Sequence, residues 1–239
     1  MTKIHPFTGA WPVFLREMLI LRRRMPKQLA SWLVSPLLYF TAFTCAMGGV
    51  TVNGLPYIDF LVPGLVAMAS MTQAWAWHML DEFMTCPLSA SGYVAGETAA
   101  GIVRATGASV IIMIIGTLAG VHVNLLAPGL WLALVLNAWF FSGLAIMMAM
   151  LVKSHADQAL LSNFVITPMA FLGGTFFPLE RLPEWARHLL GVLPLPHAAG
   201  AMQAAAAGRP VAWSELGILA IGAFAVFLGA VHSVSRARS

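Results

Sequence analysis

Apolar and charged positions in this chain segregate into long blocks. Residues 28–58 carry no formal charge, and further uncharged or nearly uncharged runs recur at 60–80, 99–121, 129–152, 158–177 and 213–234. The later runs are each about 20 residues long, and the first is longer; about 20 residues is the length a helix needs to cross roughly 30 Å of hydrocarbon at a rise of about 1.5 Å per residue. Membrane barrels would instead show alternating segments of about ten residues. The pattern therefore predicts an all-α integral membrane protein forming a single transmembrane domain over 1–239, with six transmembrane helices. The first span is expected at 29–50 with Pro36 tolerated inside it, the others at the five runs just given.

Two stretches depart from this simple alternation. Ahead of the first span, residues 10–27 place Trp11, Phe14, Leu15, Met18 and Leu21 on one helical face, with Arg16, Glu17, Arg23 and Arg24 mostly elsewhere. Such a segment is expected to lie in the membrane interface as an amphipathic helix, its arginines near anionic headgroups and Arg22 snorkelling from the apolar side. After the fifth span the pattern breaks at Gly173, Gly174 and Pro178, and the next residues carry Glu180, Arg181, Glu184 and Arg187. A charge at bilayer depth costs about 2.5–3.5 kcal/mol even on the mild insertion scale, so this cluster belongs at an interface. The apolar run 189–207 that follows is interrupted by Pro194, Pro196 and Gly200. Residues 178–209 are thus expected to form two short elements dipping back into one side of the membrane, a re-entrant pair before the last span, with His197 at the second element.

Composition sharpens the class. With 59% hydrophobic and 9% charged residues, the chain lacks the polar residues that cover a water-soluble domain of this size. Cys45 and Cys86 have no metal or redox spacing. Residues 1–27 do not read as a cleavable signal, because arginines punctuate them.

The net charge of +4 is unevenly placed. Ten basic residues (Lys3, Arg16, Arg22, Arg23, Arg24, Lys27, Arg104, Lys153, Arg236, Arg238) fall on the side holding both termini under the six-span reading, against three (Arg181, Arg187, Arg209) on the other. That asymmetry predicts a multi-pass protein of the cell inner membrane with N and C termini cytoplasmic. It speaks to topology and gives no support for nucleic-acid binding.

Catalytic signatures are missing from the sequence. No lysine (Lys3, Lys27, Lys153) follows a glycine, which excludes a phosphate-cradling Gly-Lys loop, and neither His-Glu-x-x-His nor Gly-x-Ser-x-Gly occurs. The histidines show no i,i+4 pair, so no metal site is expected, and the 14 methionines suit apolar packing. Small residues from Gly96 to Ala108 are expected to let helices approach closely. Gln73, Asn137 and Ser142 either line a path or bond neighbouring helices.

Three blocks carry a family likeness: Phe60-Leu-Val-Pro-Gly-Leu-Val-Ala-Met; Asp81-Glu-Phe-Met-Thr-Cys-Pro-Leu-Ser followed by Gly96-Glu97; and Phe171-Leu-Gly-Gly-Thr-Phe-Phe-Pro-Leu-Glu-Arg-Leu-Pro-Glu-Trp with the later Leu193-Pro-Leu-Pro-His197. In order and spacing they resemble the membrane subunit of type-two ATP-binding-cassette exporters, closest in flavour to nodulation-factor, lipo-oligosaccharide and drug-efflux permeases. The resemblance implies a permease that moves a lipid-linked glycan, lipo-oligosaccharide or drug-like amphiphile out of the cytoplasm by alternating access. It implies no cofactor in this chain, with ATP and Mg on a partner ATPase subunit, and a permease homodimer or heterodimer among membrane lipids. On the matching positions, Asp81, Glu82, Phe83, Pro87 and Leu88 would couple to the ATPase, and Glu97 and Arg104 are gate candidates. Gly173, Gly174, Pro178, Glu180, Arg181, Pro194 and His197 would build the exit-side re-entrant region. The segment joining the second span to Asp81 is shorter and less basic than is usual in the family. That keeps a second reading open, a non-transporting assembly or anchor subunit, with haem or metal handling less favoured.

Overall fold

The computed structural model describes residues 9–52, 54–75, 88–122, 124, 126–152, 157, 160–179 and 182–237. Nearly all of it is helical. The chain opens with α1 (Ala10–Ala46), a helix of 37 residues with Pro26 and Pro36 inside it. The break expected between the interfacial segment 10–27 and a span at 29–50 is absent, and the helix stops at Ala46. Each proline removes its own backbone donor and crowds the carbonyl four residues back, a local cost that the continuous helix on either side absorbs. At about 1.5 Å per residue α1 is roughly 55 Å long, well beyond the ~30 Å hydrocarbon layer.

A two-residue antiparallel ribbon, β1 (Thr51–Val52) and β2 (Leu55–Pro56), then turns the chain into α2 (Tyr57–Ala74). This is the central helix: 14 of its 18 residues are buried, and α1, α3, α4 and α7 pack around it. α3 (Ala90–Leu118) begins nine residues before the expected start at 99, because Ser89 caps it by accepting from the Gly92 N–H at 3.0 Å. α4 (Pro128–Leu151) follows the prediction closely, with a proline in its first turn.

The fifth expected span, 158–177, differs most. Its described part is a π-helical turn, Ser162–Ile166, continuing into the six-residue α5 (Thr167–Leu172). The Thr167 N–H reaches back five residues to the Ser162 carbonyl, and Pro168, which has no N–H, follows at once, so the ladder shifts register where a donor is lost. Two further helices, α6 (Glu184–Leu190) and α7 (Pro194–Ala206), form a hairpin with a three-residue link. The apolar run 189–207 is interrupted as expected, at residues 191–193 just before Pro194, while Pro196 and Gly200 lie inside α7 without breaking it. Pro194 sits at the start of α7, where a missing donor costs nothing, and the helix runs unbroken to Ala206. The chain closes with α8 (Trp213–Ala237).

Among the described residues, four helices, α1, α3, α4 and α8, are long and apolar enough to cross a membrane. The bundle has two distinct ends. At one, here the near end, a small core joins Val13 of α1, Tyr93 and Val94 of α3, Ile146 of α4, and Ala230 and Val234 of α8. The first turn of α1 and the last turns of α8 therefore meet at the same end. At the opposite, far end, the Asp59 carboxylate accepts from the His122 N–H (3.1 Å), and the Ala206 carbonyl accepts from the Asn124 N–H (3.1 Å).

Candidate functional site

Polar chemistry is concentrated at the two ends of the bundle. At the near end, α1 enters beside α3 because Gly96 has no Cβ: one built there would lie 2.6 Å from the Ala10 carbonyl and 2.8 Å from the Val13 side chain. This close approach brings Glu17 of α1 over Arg104 of α3, whose guanidinium donates to the carboxylate at 3.2 Å. Arg104 is 7% exposed and Glu97, two turns earlier, 2%. A second cation, Arg16, also reaches Glu17 at 3.2 Å. Leu88 packs against the same small core, next to Gly9 and Val13. Of the residues expected to couple to an ATPase, Asp81, Glu82, Phe83 and Pro87 lie outside the described residues.

The sequence singled out Arg104 and missed Glu17. A signal was present: Glu17 is the sole carboxylate before Asp59, in a stretch holding six basic residues. Counting it as part of a polar face hid its pairing with a cation 87 positions away.

At the far end, the segment after α5 is held from three directions. Gly173 caps the helix and Gly174 adopts φ +76°, a conformation that favours glycine. The Gly174 carbonyl accepts from Gln203 Nε2 of α7 at 3.0 Å, and the Phe176 carbonyl accepts from the Tyr57 hydroxyl of α2 at 2.9 Å. Gly64 of α2 lies so close to the Thr175 carbonyl that a Cβ there would come within 2.3 Å. Two of the sequence blocks, the one around Gly64 and the one around Gly173 to Pro178, thus dock on each other backbone to backbone.

An aromatic group completes the anchor. Phe176, fully buried, stacks on Phe43 of α1 (centroids 4.4 Å apart) and on Phe171 (5.2 Å), with Tyr39 edge-on. Pro178 is buried and Pro194 half-buried, while Glu180 and Arg181 lie outside the described residues. His197 bridges two elements: its Nδ1 meets the Glu215 carboxylate of α8, and its Nε2 meets the Gly191 carbonyl at 2.7 Å. None of these groups forms a nucleophile and base pair, and no cluster of three metal-ligating side chains occurs among the described residues.

Between the ends, the polar residues tie helices together. Gln73 Oε1 accepts from Trp32 Nε1 at 2.7 Å, Asn137 Nδ2 donates to Ser70 Oγ at 2.7 Å, and Ser142 Oγ sits against Gly101 and the Ala74 carbonyl. Such bonds hold apolar helices in register where packing alone is permissive.

A bundle with buried helix-to-helix polar bonds and a glycine-broken segment pinned at one end suits several kinds of membrane protein. Comparison decides which. The family model for the ABC-2 type transporter matches residues 10–206. The chain belongs to the ABC-2 type transporter family. Relatives of this ABC-2 chain include Nodulation protein J of Rhizobium meliloti (strain 1021), 27% identical over 212 residues that cover 81% of this chain and 79% of that protein. The inner membrane transport permease YadH of Escherichia coli (strain K12) is 28% identical over 174 residues, 66% of this chain and 67% of its own length. Nodulation protein J of Neorhizobium galegae is 26% identical over 220 residues, 83% of this chain and 81% of that protein. ABC-2 permeases are transport components that work with ATP-binding-cassette ATPases, and this chain is a permease of that type, with apolar helices suited to a multi-pass membrane protein.

Proposed function

We propose that the chain is an inner-membrane exporter permease that crosses the bilayer six times, with both termini in the cytoplasm, and moves an amphiphile such as a lipo-oligosaccharide outward. The observation that carries the reading is the pinned segment 173–178 beside the α6 and α7 hairpin, at the end of the bundle away from both termini. In this scheme α2 and the stretch from Ser162 to Phe176 are the two short crossings. Trp75 Nε1 donates to Ser162 Oγ at 2.7 Å, and Tyr57 meets Phe176, so the later stretch runs alongside α2 over its length. The hairpin is the re-entrant pair, outward-facing, and residues 10–27 are the part of α1 at the cytoplasmic interface.

The energetics place the work in a partner. A permease without an ATP site must receive its driving force as a coupling free energy, a bias on which side of the pathway is open. Two ATPase subunits closing beneath a permease dimer would pull on residues 81–88. Leu88, wedged beside Gly9 and Val13, would pass that displacement to the near-end core. The buried pair Glu17 and Arg104 would then move α1 and α3 as one body, which is the gate role given to Arg104. The lipo-oligosaccharide part of the reading leans on the Nodulation protein J relatives.

Crosslinking tests it. With the ATPase co-expressed, single cysteines at Phe83 and Leu88 should crosslink to that subunit, and Phe83→Ala should weaken assembly more than Asp81→Lys, since exposed ion pairs contribute only about 0–1 kcal/mol. Crosslinks confined to α1, with none from 81–88, would move the coupling role elsewhere.

A further inference from the structure

Two cavities at the far end of the bundle share one cation. On one side lies a pocket of about 160 Å³ whose lining includes Asp59, Phe60, Gln203 and Arg209. On the other is a larger groove of about 460 Å³ between the starts of α4 and α8 and the end of α7, lined among others by Leu132, Val211, Trp213, Leu216 and again Arg209. The first is small and rich in hydrogen-bonding groups. The second has an apolar wall and a volume within the range of about 300–1,000 Å³ typical of small-molecule sites.

Local structure fixes Arg209 between them. α7 ends at Ala206, Gly208 takes φ +67°, and the Arg209 N–H returns to the Ala204 carbonyl at 2.9 Å. That closure presents residue 209 at a fixed point beyond the helix. The polar pocket is equally set: the Asp59 carboxylate is oriented by the His122 N–H, and the Gln203 amide by the Gly174 carbonyl, which leaves Gln203 Oε1 facing away from that bond. Trp213, 82% exposed, stands at the lip of the groove, as tryptophan does at membrane interfaces.

We propose that this is an exit subsite for a single-chain anionic amphiphile: acyl chain in the groove, anionic linkage at Arg209, hydroxylated head in the pocket of Asp59 and Gln203. A guanidinium suits a phosphate-like oxyanion at a junction of wet and apolar surface. Asp59 disfavours a second negative charge beyond that linkage, and its carboxylate and Gln203 Oε1 both accept from hydroxyls, so the head is a polyol without further negative charge. The subsite rests on the export reading and deepens it, because the groove lies between α4, α7 and α8 and gives the cargo a lateral way off one protomer.

The test uses the full chain in phosphatidylcholine nanodiscs and a lysophosphatidylglycerol brominated near its acyl terminus. Quenching of Trp213, taken as the difference between the natural chain and Trp213→Phe, should saturate. Arg209→Gln should weaken it about tenfold, the size expected for loss of a charge-assisted bond, while Arg209→Lys retains most of it and shows that the fold survives. Quenching that is linear in probe and indifferent to Arg209→Gln would reduce the effect to partition into the bilayer and overturn the subsite. Displacement by two-chain phosphatidylglycerol as effective as by the lyso compound would make it a resident-lipid site and overturn it too. Export driven by the ATPase is read separately: lost export with saturable quenching removes the export reading alone, and intact export without quenching removes the subsite alone.

Discussion

Glu17 and Arg104, a partly buried pair, are the two residues on which the near end turns. Removing one member of a buried ion pair leaves an uncompensated charge, which typically costs about 3–5 kcal/mol, whereas replacing both with apolar groups is often close to neutral. Glu17 retains 16% of its side-chain exposure and Arg16 also reaches it, so the lower part of that range applies to loss of Glu17. Glu17→Gln should therefore lower the thermal midpoint of the purified protein distinctly. The double variant Glu17→Leu/Arg104→Met should recover most of the loss, and additive losses in that cycle would show that the two side chains do not interact. At the far end Gly64 offers a sharper residue-scale test. Alanine there drives a Cβ onto the Thr175 carbonyl, so Gly64→Ala should destabilise by about 1–3 kcal/mol, the usual toll of overpacking. Alanine at Gly200, which has nothing within 4 Å of its would-be Cβ, should be close to neutral by the same melting measurement.

Elements were legible in the sequence in proportion to how far their own pattern decided them. α4 and α8, uninterrupted apolar runs, were placed within a few residues, and the small residues from Gly96 to Ala108 were read as packing surface, which they are: Ala100, Ala105 and Ala108 are buried, and Trp32 lies over Gly107. Prolines acted according to their position. Pro26 stands inside α1 without ending it, whereas Pro194 begins a helix and so divides the run 189–207 as expected. The meaning of a proline depends on whether the lost donor falls in a first turn or mid-helix, and a hydropathy run does not give that offset. The π-helical turn at Ser162 has the same origin in Pro168 and the same invisibility to hydropathy. An element-scale consequence concerns the far-end anchor. Gln203→Ala removes the bond to Gly174, and Tyr57→Phe the bond to Phe176. In hydrogen-exchange measurements each should speed exchange across 173–206 while leaving α3 and α4 unchanged. Uniform acceleration over the whole chain would mean that the hairpin is not a separately anchored unit.

For the whole molecule, the near-end core settles one relation that the charge count only suggested: the first turn of α1 and the last turns of α8 share an end of the bundle. The family blocks carried the rest, and two of them meet in the structure, where Gly64 lies against the Thr175 backbone. The candidate site was less legible. Its residues are drawn from distant parts of the chain, as with Glu17 and Arg104 or His197 and Glu215, and no local spacing announces such pairs. In intact cells, a cysteine at Glu184 should react with a membrane-impermeant maleimide and one at Arg236 should not. The reverse pattern would invert the proposed orientation, and reaction at both would break the six-crossing reading.

The most direct measurement of the central proposal is reconstitution. The chain and an ATPase co-purified with it, placed together in liposomes, should hydrolyse ATP and move a fluorescent single-chain amphiphile to the side of the α6 and α7 hairpin. The chain alone should do neither, and Gly64→Ala should lower transport more than it lowers complex formation. A complex that assembles stably and hydrolyses ATP but moves no amphiphile across a panel of anionic and neutral single-chain lipids would contradict the exporter account and favour an assembly or anchoring subunit.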